Sequence, residues 1–148
     1  REMHQASLAD LGHCDIFIAC AAVADYRPET FEQEKIKKQQ SVDDLTIKLV
    51  KNPDIIADVA SNKDRPFCVG FAAETQNVED YAKGKLVRKN LNLIAANDVA
   101  KAGQGFNSAE NALTVFSKKA HFNISLADKK EVAAQLLDII YQEYKQTI

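Results

Sequence analysis

Apolar and polar positions follow two rhythms along this chain. Short apolar runs recur at Asp15–Cys20 (DIFIAC), Phe67–Phe71 (FCVGF) and Leu93–Ala96 (LIAA). Runs this short, rich in Ile, Val and Phe, predict buried parallel strands. Segments with helical spacing lie between them. Asn52-Pro53-Asp54 opens one in the order of a helix start: Asn as cap, Pro at the first helical position, an acid in the first turn. That helix is expected to run to Ser61 or Asn62, and Arg65-Pro66 marks the turn after it. Asn77 is expected to cap the next helix, Val78–Asn90, where Glu79 and Asp80 complement the dipole.

The remaining pattern is mixed. Leu45–Val50 (LTIKLV) alternates apolar with polar and predicts a half-exposed strand with Lys48 outward. Lys101–Ser108 (KAGQGFNS) predicts a Gly-containing loop. Ala112–Ser117 and His121–Ser125 predict a hairpin. Asp128 with Glu131 resembles a capping box, opening a last helix whose Val132, Leu136, Ile139 and Ile140 share one face. At the other end, Arg1–His13 predicts the later part of a helix, with Met3, Ser7, Leu8 and Leu11 near helical spacing and Gly12 as its stop. No cap precedes it, so the chain is expected to begin partway through an element. Strand–helix–strand–helix–strand alternation predicts an α/β, Rossmann-like three-layer sandwich. Its sheet is expected to be mostly parallel, with a C-terminal β-hairpin and helix. The expectation is a single domain over residues 1–148, N-terminally incomplete.

Composition narrows the function classes. The chain has 148 residues and 46% apolar content, enough for one domain with a real core. Its formal net charge of −2 argues against a general nucleic-acid or membrane binder. No apolar run approaches the ~18 residues of a membrane span, and no signal-peptide pattern opens the chain, so a cytoplasmic protein is expected. Cys14, Cys20 and Cys68 show no CxxC spacing and read as buried thiols in a reducing compartment. His4, His13 and His121 are scattered, so no histidine metal site is expected.

Candidate chemistry gathers where strands end. In a parallel sheet, ligands sit beyond the carboxyl ends of the strands. Ala21–Arg27, Ala72–Thr75 and Asn97-Asp98 are expected to converge there. No GxGxxG or P-loop is present, which leaves helix N-termini and lysines to hold phosphate. On the Val78–Asn90 helix, at about 100° per residue, Val78, Tyr81, Ala82, Lys85 and Lys89 share one side. Lys85 and Lys89 are four apart, so both ammoniums can reach one polyanion. A solvated face is the plain alternative for such a pair. It is the plain alternative also for Lys35, Lys37 and Lys38, which follow the polar stretch ETFEQE. Asp25 reads either as a ligand carboxylate or as a turn residue before Arg27-Pro28. Phe71 reads as core or as a ligand contact, and Glu74 and Asn97 as loop and cap residues.

The segments AAVADYRP, EKIKK, LVKNPDIIA, GFAAET, KLVRKN and AANDV, in this order, resemble a known family. It is the synthetase portion of the bacterial bifunctional coenzyme A biosynthesis protein, phosphopantothenoylcysteine synthetase of the CTP-using type. The likeness spans from about Asp15 to the C-terminal helix. It implies a Rossmann-like ligase coupling 4′-phosphopantothenate with L-cysteine at the expense of CTP, with Mg²⁺ accompanying the triphosphate and no metal ligands assigned. It also implies a homodimer joined through the Lys35–Leu49 arm. By the same resemblance, Ala19, Cys20 and Ala21 would line the nucleotide through backbone groups, and Asp25 would bind the nucleotide or its metal-linked part. Lys35 would contact the triphosphate and serve catalysis. Pro53, Asp54, Ile55 and Ile56 would set a helix N-terminus against the nucleotide. Phe71 would pack near it, and Lys85 and Lys89 would hold its phosphates. The family's upstream Gly-rich turn and Asn-containing segment have no counterpart here, nor does the FMN-binding decarboxylase half. Full turnover is therefore not expected of this chain alone. Two other readings stay open: an NAD(P)- or flavin-binding oxidoreductase, suggested by the alternation alone, and a non-catalytic dimerisation domain.

Overall fold

The apolar runs become the middle of one five-stranded sheet. The computed structural model describes residues 1–34, 45–98 and 108–148. The chain opens with α1 (Glu2–Leu8), a 3-10 turn (Leu11–His13) and β1 (Ile16–Ala19). Next come β2 (Tyr26–Pro28), β3 (Leu49–Lys51), α2 (Ile55–Ser61) and β4 (Phe67–Glu74). The rest is α3 (Val78–Arg88), β5 (Leu93–Asp98), β6 (Glu110–Ser117), β7 (His121–Asp128) and α4 (Lys129–Lys145). The sheet order is β1-β4-β5-β6-β7, while β2 and β3 form a separate ribbon. Parallel pairing joins β1 to β4 (Ile16 opposite Phe67) and β4 to β5 (Val69 opposite Leu93). The pairs β5–β6 and β6–β7 are antiparallel, as a C-terminal hairpin requires.

Strand alternation sorts side chains into two cores. Cys68 and Ala72 of β4 and Ile94 and Ala96 of β5 face α2 and α3, where Ile56, Val59, Ala82 and Leu86 pack, with Leu11 closing one side. Phe67 and Val69, with Leu93 and Ala95, face the other way onto Val132, Leu136 and Ile140 of α4. Helices thus cover both faces of an α/β, Rossmann-like sandwich. Burying each such Leu or Ile contributes about 2 kcal/mol by area. Gly70 of β4 lies tight against this first core. A Cβ there would lie 2.8 Å from Leu91 Cδ1 and 3.3 Å from Ile56 Cδ1.

Several boundaries differ from expectation, each for a local reason. The cap of α2 is Asp54, whose carboxylate accepts from Ala57 N at 3.3 Å, so Asn52 and Pro53 stand outside the helix. Asn52 is committed elsewhere, as described below. Asn77 does precede α3, but in a left-handed conformation (φ 46°) and without a side-chain cap bond. That helix ends at Arg88, two residues early, in a Schellman arrangement. Leu91 N donates to Leu86 O at 2.9 Å, and Asn90 N donates to Val87 O at 3.1 Å, with Asn90 at φ 52°. Gly12 stops nothing: α1 ends at Leu8, and Gly12 lies inside the 3-10 turn. Of the expected strand Leu45–Val50, only Leu49–Val50 is strand, extended to Lys51. Its partner β2 lies where no strand was expected. β4, β5, β6 and β7 all run beyond their apolar cores. Asp128 caps α4 through Lys130 N at 2.9 Å, yet Glu131 accepts from Gln135 Nε2 instead of completing a box. Ile139 is only partly buried beside Val132, Leu136 and Ile140. Among the cysteines only Cys68 is buried; Cys14 is intermediate and Cys20 exposed. Tyr81, placed on the inner side of α3 by the helical count, is 52% exposed. The predicted loop residues 101–107 lie outside the described residues.

Candidate functional site

Where β1 and β4 end, the chain opens a cleft of about 280 Å³. One side is the turn after β1, where Ala19, Ala21, Ala22, Val23 and Ala24 lead to Asp25. These short side chains leave the backbone open to a ligand. The opposite side is the segment from Lys51 to Ile56, and Gly70 and Phe71 of β4 with Lys85 and Lys89 of α3 complete it. Phe71 is 38% exposed and lines the cleft, so it is not a core residue. A side chain at position 70 would press on Leu91 and Ile56, both also lining residues.

Asn52 fastens the two sides together. Its Nδ2 donates to Ala24 O at 2.7 Å, and its backbone N–H donates to Asp25 O at 2.8 Å. Its Oδ1 accepts from Arg27 Nη1 at 3.0 Å, and the same Nη1 donates to Lys51 O at 2.9 Å. Arg27 is placed for this by the β2–β3 ribbon, in which it faces Val50. The turn carrying Asp25 is therefore held by main-chain and side-chain bonds from the far wall.

The two lysines are not free cations. Lys85 Nζ pairs with Glu74 Oε1 at 2.7 Å, the lysine side chain 37% and the glutamate 15% exposed. Lys89 Nζ lies 2.8 Å from Asp54 Oδ2 and 3.1 Å from its Oδ1. Asp54 thus serves two neighbours at once, the Ala57 amide and the Lys89 ammonium. Partly buried pairs of this kind are screened less than exposed ones. The α3 side of the cleft thus carries two lysine–carboxylate pairs, and Asp25 and Lys51 are further charged residues of the lining.

Ten of the predicted site residues line this one cleft: Ala19, Ala21, Asp25, Pro53, Asp54, Ile55, Ile56, Phe71, Lys85 and Lys89. Cys20, the first residue after β1, does not line it and is exposed. Lys35 lies outside the described residues, as do Lys37 and Lys38. Asn97, at the end of β5, is not a lining residue, although Ile94 of the same strand is. The contributions of Asn52, Arg27 and Glu74 were missed. Arg27 and Asn52 carried only turn and cap signals, and Glu74 only a loop reading.

A second hollow, about 340 Å³, lies at the opposite end of the parallel strands between Asp15, Arg65 and Tyr144. It takes in none of the predicted residues. Its Arg65 is occupied with Asn90 O at 2.9 Å and Asn92 Oδ1 at 2.6 Å. Burial pushes the Cys68 thiol above its usual value, despite the opposing pull of Arg65. Cys68 is thus an inert core thiol and not a nucleophile. No cluster of three or more His, Cys, Asp or Glu that could hold a metal occurs among the described residues.

The chain is 55% identical over 143 residues to the coenzyme A biosynthesis bifunctional protein CoaBC of Vibrio cholerae, covering 96% of the chain and 36% of that protein. It is 54% identical to the Escherichia coli K12 CoaBC (98% and 36% covered) and 40% identical to that of Bacillus subtilis (99% and 36%). The chain spans about a third of the length of these relatives. A solved C-terminal domain of CoaBC superposes with a TM-score of 0.76 at 34% identity, over 98% of this chain and 62% of that one. A Streptococcus pneumoniae DNA/pantothenate metabolism flavoprotein, 19% identical with a TM-score of 0.70 over 96% and 69%, shares the fold. Residues 1–144 match the family described as DNA/pantothenate metabolism flavoprotein C-terminal domain, and the chain belongs to that family.

Proposed function

We propose that this chain is the nucleotide-binding part of a phosphopantothenate–cysteine ligase acting in coenzyme A biosynthesis. The observation carrying this reading is the convergence of Lys85, Lys89, Asp25 and Phe71, distant in sequence, on one cleft. Their chemistry suits a nucleoside triphosphate: ammoniums for phosphates, a ring for packing, a carboxylate for a hydroxyl or a metal. The naming of the relatives for coenzyme A biosynthesis supports the pathway.

In this reading CTP lies along the cleft with its triphosphate toward α3. The carboxylate of 4′-phosphopantothenate attacks the α-phosphorus, forming an acyl-cytidylate and releasing pyrophosphate. The amine of L-cysteine then attacks the acyl carbon and displaces CMP. The chain's part is to position the reactants and to neutralise developing charge. Lys85 and Lys89 hold the phosphates. Lys35, in the segment outside the described residues, contacts the triphosphate during activation. The Ala19–Ala21 turn and the Pro53–Ile56 segment bound the nucleotide, with the Ala57 amide already taken by Asp54. Mg²⁺ would neutralise the departing pyrophosphate; Asp25 suits it as one carboxylate beside phosphate oxygens, the way Mg²⁺ is usually held. FMN belongs to a decarboxylase half beyond this chain.

A homodimer joined through the Lys35–Leu49 arm belongs to the same proposal. It is supported by Tyr26, Phe31, Leu45, Ile47 and Leu49, all exposed on or beside the β2–β3 ribbon. A cytoplasmic location is supported by metabolic relatives, and no helix among the described residues is long and apolar enough to cross a membrane.

Calorimetric titration with CTP, ATP and NADPH in the presence of Mg²⁺ tests the reading. Saturable CTP binding, preferred over ATP, is expected. Tighter binding of NADPH or FMN would favour an oxidoreductase instead. In the full-length protein, Lys35→Ala or Lys85→Ala should each slow pyrophosphate release by roughly 10²–10³-fold, about 3–4 kcal/mol of transition-state stabilisation. An unchanged rate removes the residue concerned from the mechanism.

A further inference from the structure

We propose that Glu74 and Asp54 are built-in counter-ions of the cleft, which a polyphosphate displaces from Lys85 and Lys89 and a single phosphate does not. The inference deepens the nucleotide reading of this cleft and rests on it.

The four groups are arranged as two crossed pairs. Lys85 and Lys89 lie one turn apart on α3, yet each takes its carboxylate from a different element. Glu74 comes from the end of β4, and Asp54 from the cap of α2. Neither carboxylate is a long exposed side chain that wanders off in solvent. Glu74 is largely buried, and Asp54 is fixed by its bond to Ala57 N. A phosphate approaching Lys85 and Lys89 therefore meets ammoniums that are already paired. To bind, it must exchange one ammonium–carboxylate contact for one ammonium–phosphate contact.

That exchange treats short and long anions differently. A single phosphate reaching one lysine frees one carboxylate beside itself, so its new attraction is nearly cancelled by the neighbouring like charge. A di- or triphosphate spans both lysines in one binding event. It gains two contacts for one loss of translational freedom, as a bivalent ligand does. Its larger negative charge also outweighs the two freed carboxylates. The carboxylates thereby reject single phosphates more than they weaken polyphosphates. Discrimination by such a repulsive element is a recognised route to specificity.

The test compares anions of different length on the wild-type chain, Glu74→Gln and Asp54→Asn. Both substitutions remove charge while keeping shape, and Asn at position 54 can still cap α2. Inorganic triphosphate, pyrophosphate and phosphate are titrated at fixed salt, alongside CTP, ATP and CMP. In Glu74→Gln the affinity for phosphate and CMP should rise about tenfold, that for triphosphate and CTP by less than about threefold, so the preference for long anions shrinks. Asp54→Asn should act in the same direction, and Glu74→Asp should restore part of the preference. An unchanged ratio, or a proportional loss for every anion, overturns the proposal, because a merely structural role would not move the ratio. If triphosphate shows the expected shift while CTP binds no better than ATP, the nucleotide reading fails and the counter-ion role stands. Absence of any anion binding to all four proteins overturns both.

Discussion

The cleft has two walls built on different principles. The β4 wall, with Gly70 and Phe71, grows from the most buried strands of the sheet, where Val69, Leu93 and Ala95 have no exposed surface. The wall formed by residues 21–25 and 51–54 rests on a two-strand ribbon whose Tyr26 and Leu49 stand in solvent. Packing holds the first; hydrogen bonds from Asn52 and Arg27 hold the second. The packed wall therefore has many buried contacts behind it, and the tied wall depends on a few hydrogen bonds. Sites need a rigid frame, and mobile parts are drawn from regions with few buried contacts.

The largest effect should separate the walls by stability. Leu93→Ala removes a fully buried side chain and should cost about 3 kcal/mol. Leu49→Ala, exposed on the ribbon, should cost less than about 0.5 kcal/mol. Urea unfolding monitored by circular dichroism measures both. Equal losses would break the comparison, and a Leu49→Ala loss that grew with dilution would show that the ribbon is buried between two copies. A smaller effect is expected at the tie. Asn52→Ala removes two side-chain hydrogen bonds and should lower stability by about 1 kcal/mol. Amide exchange in residues 21–25 should then quicken while β4 and β5 keep their protection. Uniform acceleration throughout the sheet would mean that the two walls are one unit.

The smallest effect concerns the outer side of α3, away from both walls. There Lys83 Nζ donates to Glu79 Oε1 at 2.6 Å, and this hydrogen bond holds the Glu79 carboxyl below its ordinary value. A carboxylate with a lowered folded-state pKa stabilises the fold above its unfolded value, and that stabilisation is lost as pH falls through the folded value. Glu79→Gln should therefore remove a slight acid-side slope from the unfolding midpoint and change nothing in phosphate binding. Glu74→Gln, at the Lys85 pair, should by contrast change the anion preference. A change in anion affinity with Glu79→Gln would blur the distinction between the two faces of α3.

The sequence exposed the packed wall far more fully than the tied one. FCVGF and LIAA announce buried strands because both faces of the sheet are covered, and that leaves a continuous apolar run. The stripe Val132–Leu136–Ile140 announces α4 for the same reason. Nothing in the local pattern announces Asn52, whose side chain bonds to a carbonyl 28 residues away. Asn-Pro-Asp reads as a cap when only neighbours are considered, and the tertiary partner Ala24 took the Asn. The β2 strand is three residues long and ends in Pro28, too short for any periodicity. The lysines were legible as a pair, but their carboxylates were not. Glu74 is 11 residues from Lys85, and Asp54 is 35 residues from Lys89, so the pairing belongs to the fold alone. Motif resemblance brought Asp25, Phe71 and the 53–56 segment into view before any geometry did.

Gly70 has a bearing on how such a chain can change over generations. Its missing side chain is occupied by the ends of Leu91 and Ile56, one from the turn after α3 and one from α2. Positions 70, 91 and 56 therefore share a single volume, and a change at one constrains the other two. A larger residue at 70 becomes tolerable once 91 or 56 has shortened, and a shorter residue at 91 opens a void until 70 fills it. Because all three also line the cleft, drift at this junction would reshape the ligand's surroundings while the polar groups stayed where they are.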